Sequence, residues 1–131
     1  MGAVQREVER QDGKPDRHIY RLTDRGDEIL QALLQDFSPE LLRNRAEFMV
    51  RVAFFHMLEP EMRLEILEIR KQVIAAELAH TQQLIALAQE GMPNSYAVRV
   101  TAFHEQEQLH ELEWLQTLIQ ELQTDRERND L

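Results

Sequence analysis

Two Glu-x-x-His motifs, Glu77–His80 and Glu107–His110, have the residue types and spacing best suited to holding a metal in this sequence. On a helix, the i, i+3 spacing puts carboxylate and imidazole on one face. In di-iron bundles two such motifs join one Glu from each of two further helices, and Glu47 and Glu65 are the carboxylates available here. The apolar periodicity argues against that assembly. One apolar line runs through His80, whereas His110 falls on the line of Phe103 and Trp114. In an antiparallel helix pair turning near residue 92, His80 lies level with His104, and His110 is displaced from it by about 9 Å along the axis. The histidines therefore read as core or interface residues, and neither a metal nor any other cofactor is expected.

Other catalytic chemistry has little foothold. The chain has no Cys, so it has no thiol nucleophile and no thiolate metal ligand. Ser38 and Ser95 sit at helix starts, and no Gly-rich phosphate loop is present. His56, within VAFFHML, reads as a hydrogen-bonded packing residue, and Tyr96 and Trp114 fall at helical spacing. The protein is not expected to be an enzyme. A second candidate is electrostatic. Lys14, Arg17, His18 and Arg21 lie within the stretch QDGKPDRHIYRLTDRG and could meet phosphates.

Charge sets that stretch apart. The 131 residues carry a net charge of −9, yet residues 1–22 hold five Lys/Arg against four Asp/Glu. An acidic body disfavours non-specific contact with nucleic acid or anionic lipid, which leaves phosphate contact to the front segment. No apolar run approaches the ~20 residues that span a bilayer. The first residues, MGAVQREVERQ, have no apolar signal region. With no Cys, these features point to a cytoplasmic protein without membrane contact.

The elements that must position these residues follow from pattern. Residues 3–10 and 17–22 are rich in alternation and strand formers and flank Asp-Gly and Pro, which predicts a β-hairpin. Thr23 is a helix N-cap followed by Asp24, Asp27 and Glu28, and Ile29, Leu30, Leu33 and Leu34 give helix 1 over 24–36. Gly26 in its first turn implies close packing there. Ser38-Pro39 starts helix 2, which runs to Leu58. Glu59-Pro60 starts helix 3, which runs to Glu90 on the line Ile66, Ile69, Val73, Ala76, His80, Leu84 and Leu87. Asn94 or Ser95 caps helix 4, which reaches Gln123 on the seam Leu109, Leu112, Leu115, Ile119 and Leu122. The expected fold is mainly α: a short N-terminal hairpin, then four helices, the last two a long antiparallel αα-hairpin. Three segments result: 1–36, 37–123 and a polar tail, 124–131. The long hairpin has more apolar face than helices 1 and 2 can cover, which predicts a homodimer. Val73, His80, Leu84, Leu112, Trp114, Leu115 and Ile119 are its expected interface.

The stretch Gly13-Lys14-Pro15-Asp16-Arg17-His18-Ile19-Tyr20-Arg21-Leu22-Thr23-Asp24-Arg25-Gly26 resembles the winged-helix wing of PadR-type transcriptional regulators, loosely Gly-Arg-Pro-x-Arg-x-x-Tyr-x-Leu-Thr-x-x-Gly. Gly13, Pro15, Arg17, Tyr20, Leu22, Thr23 and Gly26 match in order, with Lys14 for the usual Arg. FMVRVAFFHMLEPEMR (48–63) and HELEWL (110–115) are similar to the family's helical C-terminal region. The resemblance implies a DNA-binding transcriptional regulator, a repressor, dimerising through its C-terminal helices. It implies wing contacts with DNA from Lys14, Arg17 and Arg21, and Tyr20 as an anchor of the wing. Some relatives bind a small-molecule effector; no residue here identifies one. The family's recognition helix precedes the wing, whereas only Met1–Arg10 precede the turn here. The chain is therefore expected to be either a fragment of a longer regulator, binding DNA weakly by itself, or an interaction-only module that pairs with full-length regulators.

Overall fold

The computed structural model describes residues 4–9, 17–91 and 94–129, with side chains from residue 23 onward. Two compact units divide the chain, residues 1–36 and 37–131.

In the first unit, β1 (Val4–Glu9) pairs antiparallel with β2 (Arg17–Leu22), from Val4 opposite Leu22 to Glu9 opposite Arg17. Helix α1 (Asp24–Gln35) follows, and the Thr23 hydroxyl caps it by accepting from the Gly26 N–H at 3.0 Å. Gly26 and Leu34 are buried.

The second unit is helical throughout its described residues: α2 (Pro39–Leu42), α3 (Arg45–Ala53), a 3-10 turn at Phe55–Met57, α4 (Pro60–Gly91) and α5 (Tyr96–Asn129). The expected fold class is corrected here. From Asp24 onward the described residues contain no strand and no sheet, and they form five α-helices where four were expected. A winged-helix wing is not part of that helical body. Among the described residues the β1–β2 pairing is a two-stranded ladder that extends into no larger sheet, and such a ribbon is marginal alone. Helix α5 also runs on to Asn129, through residues expected as a tail.

The extra helix has one nearby and one distant cause. The expected second helix breaks at Arg43-Asn44 because two side chains take over its backbone bonds. The Asn44 Oδ1 accepts the Glu47 N–H at 3.1 Å, which would otherwise bond the Arg43 carbonyl. That carbonyl and the Leu42 carbonyl accept instead from the Arg70 Nη1, at 2.9 and 2.8 Å. A helix C-terminus leaves its last carbonyls without intrahelical partners; here a guanidinium from α4 supplies them.

Helices α4 and α5 form the long antiparallel hairpin, each about 50 Å at 1.5 Å per residue. Their buried residues are Ile66, Leu67, Arg70, Ile74 and Thr81 on α4 and Val98, Gln108, Glu111, Leu115 and Ile119 on α5. Helix α2 packs on α4, and Leu42 and Phe48 are wholly buried. No helix among the described residues is long and apolar enough to cross a membrane.

Candidate functional site

One side of the α4–α5 hairpin carries a connected set of polar and aromatic contacts. At its middle, Glu111 grips Arg70 through two hydrogen bonds, Nε to Oε2 at 2.7 Å and Nη2 to Oε1 at 3.0 Å. Both side chains are almost completely buried. The Arg70 guanidinium lies 5.3 Å over the Phe48 ring, and Phe48 meets Trp114 edge-on at 6.3 Å. Arg45 approaches Glu111 more loosely, at 3.6 Å, and also lies 3.9 Å from Glu107. One guanidinium thus joins α4 to α5, to the end of α2 and to the first buried ring of α3. Its planar set of donors suits it to such a junction, which an ammonium could not satisfy.

Beyond that junction, toward the α4–α5 turn, the same side of the hairpin opens. A groove of about 730 Å³ is lined by Val73, Ala76, His80 and Leu84 of α4, His104 and Gln108 of α5, and Arg43 among others. The residues flanking it become more exposed toward the turn: Leu84 is 45% accessible and Leu87 65%, and across the pair Phe103 is 66% and Val100 68%. Helical spacing places them together. Leu87 follows Leu84 by three positions, and Val100 precedes His104 by four. Gln108 is 2% exposed; its Nε2 contacts the His104 Nε2 at 3.2 Å, and its Oε1 has no hydrogen-bond partner among the described residues.

The expected interface residues are divided by this geometry. Val73, His80 and Leu84 line the groove. Leu115 and Ile119 are in the core of the single chain, at 0% and 2% exposure. Leu112 is half-buried. Trp114 lines a smaller cleft of about 330 Å³ with Arg45, Met49, Glu107, His110 and Glu111. The two Glu-x-x-His motifs are accordingly separated: His80 shares the groove with His104, and His110 lies in the Trp114 cleft. Among the described residues, no cluster of three or more His, Asp or Glu is arranged to hold a metal. Arg17 and Arg21 lie on β2, opposite Glu9 and Gln5 in backbone register; Lys14 lies outside the described residues.

The Arg70–Glu111 pair is absent from the sequence-based site. Its signal is present nonetheless: Arg70 stands four residues from both Ile66 and Ile74, and Glu111 four before Leu115, so each charge occupies an apolar helical line. Comparison with protein-family models gives no match, and comparison with curated proteins gives none either.

Proposed function

We propose that this chain is a non-enzymatic subunit of a PadR-like transcriptional repressor, in which the acidic helical unit pairs two copies and the basic segment of residues 14–21 contacts DNA. The observation that carries the reading is the outward-facing apolar line of α4. Ile69 and Val73 on that line are half-buried, whereas Ala76, His80, Leu84 and Leu87 are exposed. A helix whose apolar residues persist past the point where its own chain covers them is suited to association.

The resemblance of residues 13–26, 48–63 and 110–115 to PadR regulators supports the DNA-directed part. Lys14, Arg17 and Arg21 form the positive segment in a chain of net charge −9, so phosphate contact falls to them. Pairing would double this segment, and two linked weak contacts gain by effective concentration.

The test is DNA binding at low salt by the intact chain and by a Lys14→Glu/Arg17→Glu variant. Binding that weakens steeply with salt in the parent and is lost in the variant supports the reading. Equal binding by both, or none by either, rejects the DNA contact.

A further inference from the structure

We draw no further inference here: the strongest candidate, the groove of about 730 Å³ along α4 and α5 beside the buried Gln108 amide, shares His80 and Leu84 with the pairing face already described, and nothing in the structure shows what fills or covers it.

Discussion

Arg70 and Glu111, forty-one positions apart in sequence, meet in a bidentate ion pair with both side chains almost completely buried. The remaining Nη1 donor of Arg70 closes the end of α2. A buried ion pair is weak evidence of stability in itself, because removing two charges from water offsets their attraction. Its stronger consequence is geometric. The one guanidinium bonds α5 and the end of α2 at the same time, so the pair ties α2, α4 and α5 together near the middle of the hairpin.

Breaking the pair from one side leaves a buried charge alone. Arg70→Ala is expected to lower stability by about 3–5 kcal/mol, read from urea unfolding followed by circular dichroism. Arg70→Met/Glu111→Leu is expected to recover most of that loss while loosening α2, whose terminal carbonyls lose their donor. A single substitution costing under 1 kcal/mol would show that water satisfies the remaining partner.

Phe48 is fully buried between the Arg70 guanidinium and the Trp114 edge. Phe48→Ala is expected to cost about 3–5 kcal/mol, through lost transfer energy and the cavity left behind. Trp114 is the chain's single tryptophan, so its fluorescence reports this contact directly. A red shift in the folded variant is expected; an unchanged spectrum would contradict the packing.

Asn44 caps α3 and marks the break from α2. Asn44→Ala is expected to cost about 1 kcal/mol, and Asn44→Asp much less, since aspartate caps equally well. Equal losses in thermal melts would show that the side chain has another role.

Gln108 buries an acceptor that has no partner among the described residues. An unsatisfied buried oxygen costs free energy, so Gln108→Leu is expected to be neutral or stabilising by about 1 kcal/mol. A loss above 2 kcal/mol in urea unfolding would show that the amide makes a bond essential to the fold.

Much of the helical organisation is legible in the residues. Thr23, Ser38 and Ser95 cap the helices they precede, each accepting an N–H three residues on. The Gly91 region ends α4, and the level of His80 with His104 follows from counting back from the turn. What could not be read is which apolar line faces which neighbour. The lines of α4 through Val73 and Leu84 and of α5 through Leu109 and Leu112 look like the mutual seam. The hairpin closes on a line that keeps Ile66, Leu115 and Ile119 of those seams and adds Arg70, Thr81, Gln108 and Glu111, leaving Leu84 and Leu109 exposed. Arg70 and Glu111 satisfy each other across the helix pair and give no apolar signal, so their part of the core was hidden. On α4 the expected apolar line starts in the core at Ile66 and ends exposed at Leu84 and Leu87. The split of the second helix was hidden for a similar reason, since Arg70 acts on Leu42 and Arg43 from twenty-seven or more positions away.

The most direct measurement of the account is the mass of the unaltered chain in solution, by multi-angle light scattering across the micromolar range. A mass near twice 15.5 kDa, falling toward one chain on dilution, is the predicted result. A constant mass of one chain at every concentration would contradict the central claim that the open face of the α4–α5 hairpin is built to meet its own copy.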